Sequence, residues 1–178
     1  DLVLDAPLWL DLRWRGQNAR LRFAGSAGQT LALHMASQIT EHSGERVYYY
    51  VYKPDGKLLT SAYTTSSLTI NLNGLPVTGD YTIFVDPRYG VTSSVELTLA
   101  SGIAGAIEID GEDASYTATV PGQNAYLTFS AIAGQRLGMG ISDLVVNNGT
   151  SVGVNIYRQN GNLLTSATCV APIGCDLN

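Results

Sequence analysis

The property that most limits what this chain can fold into is that it repeats itself. GQNARLRFAGSAGQTLALHM, Gly16 to Met35, recurs as GQNAYLTFSAIAGQRLGMGI, Gly122 to Ile141, at a constant shift of 106 residues. VYKPDGKLLTSA, Val51 to Ala62, returns as IYRQNGNLLTSA, Ile156 to Ala167, at a shift of 105. A match of this length means one structural unit used twice. The alignment sets the two copies at residues 1–100 and 101–178, joined near Ser101 to Gly105.

Aligned copies also sort inward from outward side chains, because the buried positions of a strand stay apolar while the solvent positions drift. Ala19, Leu21 and Phe23 answer to Ala125, Leu127 and Phe129, while Arg20 and Arg22 answer to Tyr126 and Thr128. Leu31, Leu33 and Met35 answer to Leu137, Met139 and Ile141, with Ala32 and His34 on the other face. Leu10, Leu12 and Trp14 match Tyr116, Ala118 and Val120. Tyr81, Ile83 and Val85, then Val95, Leu97 and Leu99, complete the inward set of the first copy. Turn signals fall between these runs at Asp55-Gly56, Asp110-Gly111, Asn148-Gly149 and Asn160-Gly161. With 14% charged residues and 19 glycines, the chain is poor in material for amphipathic helices and rich in material for short strands. The expected fold is all-β: two tandem antiparallel β-sandwich units of jelly-roll-like type, the second lacking its last two strands.

At these residues the sequence resembles a known family. The GQNARLRF strand, the AGQ turn, V-Y-x-PDG-x-LL and the ending GDYTIFVDP look like bacterial pre-peptidase C-terminal domains and related sandwich repeats of secreted or surface proteins. The resemblance covers nearly the whole chain twice and rests on packing and turn residues. It implies a secreted or cell-surface setting and an accessory role; some members of that class bind polysaccharide or insoluble protein, some bind calcium, and some only space or chaperone a neighbouring domain.

Within VYYYVY, the two-copy comparison turns Val47, Tyr49 and Val51 inward with Val152, Val154 and Ile156. Tyr48, Tyr50 and Tyr52 face out, against Gly153, Asn155 and Tyr157 in the second copy. Outward rings at alternate positions stand about 6.7 Å apart along a strand. They can stack on sugar rings or on a partner protein, or they can simply reflect the β propensity of tyrosine. Tyr48 and Tyr50, with Trp9 on another outward position, are the candidate ligand-binding residues, and a polysaccharide or a surface protein is the candidate partner. Phe84 also falls on an outward position.

Other chemistry is sparse. The net charge of −5 provides no basic footprint for nucleic acid, and no apolar run approaches the roughly 20 residues of a membrane-spanning helix. His34 and His42 have no recognisable nucleophile or metal partner, and no hydrolase elbow, zincin helix or phosphate loop is present. No enzyme is expected. Glu108, Asp110, Glu112 and Asp113 form an acidic turn that is a weak calcium candidate, the sole cofactor considered, with a plain solvated turn as the alternative. Cys169 and Cys175, without a second pair for zinc, fit a small local disulfide in an oxidising compartment or two buried thiols. Asn148-Gly149-Thr150 matches a glycosylation pattern and reads as a turn. Asp1 follows no secretory leader, as in a mature chain or an excised piece.

The copies differ most at their ends. The first runs past Asn73 through two further strands, whereas Asn178 aligns with Asn73. Those strands supply Tyr81, Ile83, Val85, Val95, Leu97 and Leu99, each contributing roughly 1.5 to 3 kcal/mol of burial. Three outcomes are open: a unit rebuilt with fewer strands, a piece of a longer repeat protein, or strand exchange with another chain.

Overall fold

A computed structural model describes residues 1–147 and 149–177, so the Asn148 position of the glycosylation pattern lies outside the described residues. The described chain is all-β, with strands and a single short 3-10 turn, Arg88–Gly90. It packs as two compact units, Asp1–Phe129 and Ser130–Asn178.

The first copy forms a complete sandwich. Strands β1 (Pro7–Leu12), β2 (Ala19–Gly25), β3 (Leu31–Thr40), β4 (Val47–Tyr52), β5 (Leu58–Thr64), β6 (Leu68–Leu72), β7 (Gly79–Pro87) and β8 (Ser93–Ser101) build two four-stranded sheets. One runs β1-β8-β3-β6, the other β2-β7-β4-β5. The last two strands of the copy are therefore its central ones: β7 joins β2 to β4, and β8 joins β1 to β3. The strict alternation of β7, apolar at Tyr81, Ile83 and Val85, buries that row completely, and Val95, Leu97 and Leu99 of β8 meet it from the other sheet. Tyr49 is fully buried among them, its hydroxyl donating to Gln38 Oε1 at 2.8 Å, and burial pushes its phenol far above the ordinary tyrosine value. Tyr81 stacks on Phe23 at 5.2 Å and donates to the Val77 carbonyl at 2.7 Å. Both buried hydroxyls are thus satisfied, as interior polar groups must be.

One expectation for this copy needs correction. Trp14 is not inward: β1 ends at Leu12, and Trp14 lies 75% exposed in a turn where its backbone N–H donates to Gln17 Oε1. Ala32 and His34 do lie on the outer face of the β1-β8-β3-β6 sheet, yet with Thr98 and Ala100 they are covered or half-covered. The start of the second copy lies against this face at His34. Gln123 Nε2 donates to the Ser101 carbonyl at 2.9 Å, Asn124 Nδ2 to Asn71 Oδ1 at 2.8 Å, and the Tyr126 hydroxyl to Asn73 Oδ1 at 2.6 Å. Gly122, at φ +80°, lies so close that a Cβ there would stand 2.5 Å from His34 Cβ. Burial lowers the His34 imidazole pKa, opposed in part by the charge of Glu96, and its Nδ1 sits 2.8 Å from Thr69 Oγ1. This strap explains why the first compact unit extends to Phe129, beyond the sequence repeat boundary at 100.

The second copy keeps only part of the pairing. Strand β9 (Ile103–Ala106) pairs in parallel with β10 (Ala125–Thr128), the counterpart of β2, and both belong to the first unit. In the second unit β11 (Met139–Ile141) pairs with β14 (Cys175–Leu177), and β12 (Ser151–Tyr157) with β13 (Leu163–Val170). These correspond to β3 with β6 and β4 with β5, the two pairings of the first copy that involve neither β7 nor β8. The inward set is accordingly not buried here: Phe129 and Leu137 are exposed, Val152 is 41% exposed, and Val154 and Ile156 are half-exposed. The alternation is kept, but among the described residues no strand pairs with β11 or β12 in the place that β8 and β7 take in the first copy.

Cys169 and Cys175 form a disulfide. They occupy the places of Thr64 and Ile70, and in the first copy the same turn is closed by hydrogen bonds, Thr64 Oγ1 to the Ser67 carbonyl and Ser66 N–H to Thr64 Oγ1. With only six residues of separation, the link contributes about 2 kcal/mol on the chain-entropy scale. Reduction is expected to speed proteolysis between residues 130 and 178 while leaving Asp1–Phe129 intact, read by limited digestion and mass spectrometry.

Candidate functional site

The outer face of the β2-β7-β4-β5 sheet carries an unbroken aromatic surface. Extended backbone over Val47–Tyr52 sends Tyr49 in and Tyr48, Tyr50 and Tyr52 out. The outward rings follow the strand repeat: Tyr48 and Tyr50 have centroids 6.3 Å apart and planes 18° apart, Tyr50 and Tyr52 6.4 Å and 26°. Cross-strand register widens the row into a patch. Tyr63 on β5 pairs with Tyr48 and its ring lies 5.5 Å away; Phe84 on β7 pairs with Tyr50 at 6.2 Å.

Cations bracket these rings. The Arg20 guanidinium stands 4.9 Å from the Phe84 centroid, and that of Arg46 4.2 Å from the Tyr63 centroid. Such pairs hold a flat ring and a flat guanidinium in place at little entropic cost. A shallow open hollow of about 420 Å³ runs along Tyr48, Tyr50, Ser61, Ala62, Tyr63 and Leu68 at the β5 edge. The surface combines apolar faces, hydroxyl tips and charged donors at its rim.

The other candidate residues lie elsewhere. Trp9, 51% exposed, sits on β1 opposite Glu96 in the β1-β8-β3-β6 sheet, so it does not join Tyr48 and Tyr50. Glu108, Asp110, Glu112 and Asp113 are exposed on the turn after β9, where the Gly111 N–H donates to the Glu108 carbonyl at 3.2 Å. Among the described residues no group of three or more His, Cys, Asp or Glu is placed to hold a metal ion, and no helix is long and apolar enough to cross a membrane.

Tyr63 joins the patch beyond the residues singled out from the sequence, and Phe84, Arg20 and Arg46, outward by alternation, are brought to the same face. The copy comparison held a signal for Tyr63, whose counterpart is Thr168. For Arg20 and Arg46 alternation gave the outward direction but not the rings they meet, because Phe84 and Tyr63 come from other strands.

No protein-family model matches the chain, and no curated protein matches it. Among solved structures it is similar to a periplasmic inhibitor of g-type lysozyme, PliG from Aeromonas hydrophila, with 16% identity, TM-score 0.38, and coverage of 53% of this chain and 84% of that one. It is also similar to the pre-peptidase C-terminal domain of collagenase from Bacillus anthracis, with 13% identity, TM-score 0.40, and coverage of 54% and 89%. A third likeness is to a family two carbohydrate esterase from Clostridium thermocellum, in complex with cellohexaose, with 15% identity, TM-score 0.31, and coverage of 56% of this chain and 33% of that one.

Proposed function

We propose that this chain is a non-catalytic binding module of a secreted or surface protein, and that its contact surface is the outer face of the β2-β7-β4-β5 sheet. The observation that carries this reading is the continuity of Tyr48, Tyr50, Tyr63 and Phe84 on one face. The second copy has Gly153, Asn155 and Thr168 where the first has the three tyrosines. A flat, hydroxyl-tipped aromatic surface with arginines at its rim suits a polymer that offers flat apolar faces edged with hydroxyls, which describes a polysaccharide. The disulfide and the Ser, Thr and Asn-rich strands fit an oxidising, extracellular compartment.

The test is retention of the full chain on a panel of insoluble polysaccharides, with Tyr48→Ala plus Tyr50→Ala as the comparison. Loss of two aromatic anchors is expected to weaken retention at least ~10-fold. The two outward cross-strand pairs lost, Tyr48 with Tyr63 and Tyr50 with Phe84, contribute roughly 0.2 to 1 kcal/mol each to folding, so the first unit should stay folded and its melting temperature should fall by less than about 8 °C. Equal retention by the two chains, or no retention on any polymer, would remove the polysaccharide reading.

A further inference from the structure

We propose that the second copy is a receptor for two β-strands, and that its occupant is a polypeptide segment, not among residues 1–178, with the alternation of Gly79–Ser101. This goes beyond the binding face of the first copy and does not depend on it. In the first copy, Val47, Tyr49 and Val51 of β4 lie beside Pro87, Val85 and Ile83 of β7, in register within one sheet. Leu31, Leu33 and Met35 of β3 lie opposite Ser101, Leu99 and Leu97 of β8. The equivalent rows, Val152, Val154 and Ile156 on β12 and Leu137, Met139 and Ile141 around β11, keep the same apolar alternation, and among the described residues no strand pairs with β12 or β11 on that side.

The pattern of surviving strand pairs fixes what is missing. Removing β7 and β8 from the first copy leaves β3 with β6 and β4 with β5, and the second unit consists of just the equivalents of those pairs. Each pair retains one open edge that in the first copy bonds to a central strand. Exposed backbone edges beside an apolar row are the surface that strand addition uses. The segment must supply one strand to each sheet, β7-like beside β12 and β8-like beside β11. It must also carry six apolar residues at the places of Tyr81, Ile83, Val85, Val95, Leu97 and Leu99.

A second copy of this chain does not meet that requirement. Its own β7 and β8 are wholly engaged in its first sandwich, where those six side chains are at most 1% exposed. Its second unit offers only further pairs that lack the same central strands. An outside segment of the stated alternation answers both open edges at once.

The experiment appends a copy of Gly74–Ser101 after Asn178 of the full chain and follows amide exchange by mass spectrometry. Amides of β11 and β12 should exchange at least ~100-fold more slowly than in the parent chain, because they become interior strands. A matched chain, in which the appended equivalents of Tyr81, Ile83, Val85, Val95, Leu97 and Leu99 are Ser, should exchange at the parent rate. Free peptide Gly79–Ser101, titrated onto the parent chain, provides a second format, and saturable slowing at the same amides in either format supports the proposal. No slowing in both formats overturns it, as does equal slowing with the Ser-substituted segment. A parent chain that is dimeric by light scattering, with β11 and β12 already protected, overturns it too, since a second copy would then fill the place.

Discussion

Tyr49→Ala is expected to destabilise the first unit by about 3 to 5 kcal/mol, whereas the matched substitution in the second copy, Val154→Ala, should cost less than about 1 kcal/mol. Tyr49 is fully enclosed by both sheets, so its removal leaves a cavity that the surrounding Val47, Ile83 and Leu97 cannot close without leaving their own rotamers. It also strands the Gln38 amide that accepts its hydroxyl. Val154 faces the same way on the corresponding strand but is half-exposed, with little packing to lose. For a unit of this size the Tyr49 change should lower the melting temperature by at least about 12 °C. Tyr49→Phe, which keeps the ring and loses only the bond to Gln38, should cost about 1 kcal/mol. Urea or thermal unfolding followed by near-ultraviolet circular dichroism measures all three. Equal losses at Tyr49 and Val154 would mean that the two copies bury their strands alike.

Gly174→Ala should detach β14 from β11. Gly174 has φ +83°, where a side chain costs about 1 to 2 kcal/mol. A Cβ there would also overlap the Ile141 carbonyl oxygen and stand 2.8 Å from the carbonyl carbon. Both obstacles are backbone, so relief requires moving a strand. Together they are expected to cost more than about 2 kcal/mol, with Leu177, now buried, released to solvent. Faster amide exchange at Met139–Ile141 and Cys175–Leu177, with β1 to β8 unchanged, is the expected reading. A variant whose β11 exchanges normally would show that the pairing does not pass through Gly174.

What could be read from the sequence was what strand geometry repeats locally. Tyr49 inward beside Tyr48 and Tyr50 outward follows from a period of two and needs no knowledge of the partner strands. The disulfide between Cys169 and Cys175 was legible because a separation of six is short enough to be a property of one turn. Trp14 was misplaced because alternation was carried past Leu12, where the chain had already turned. His34, outward by alternation, meets Gly122 from far along the chain, and no local pattern encodes a strap. The aromatic face was only half legible: the row on β4 lies within six residues, but Phe84 and Arg20 reach it through β7 and β2. Leu137, Met139 and Val152 look inward in sequence and are not enclosed, because periodicity reports which face a side chain takes and not whether anything lies opposite.

The segment from Gly122 to Tyr126 gives duplication and packing different borders in this molecule. What was copied ends near residue 100, but what holds together ends at Phe129, because the opening of the later copy has become part of the coat of the earlier one. In an array grown by such duplication, no repeat could be excised cleanly: each cut at an ancestral border would undress the repeat on its N-terminal side.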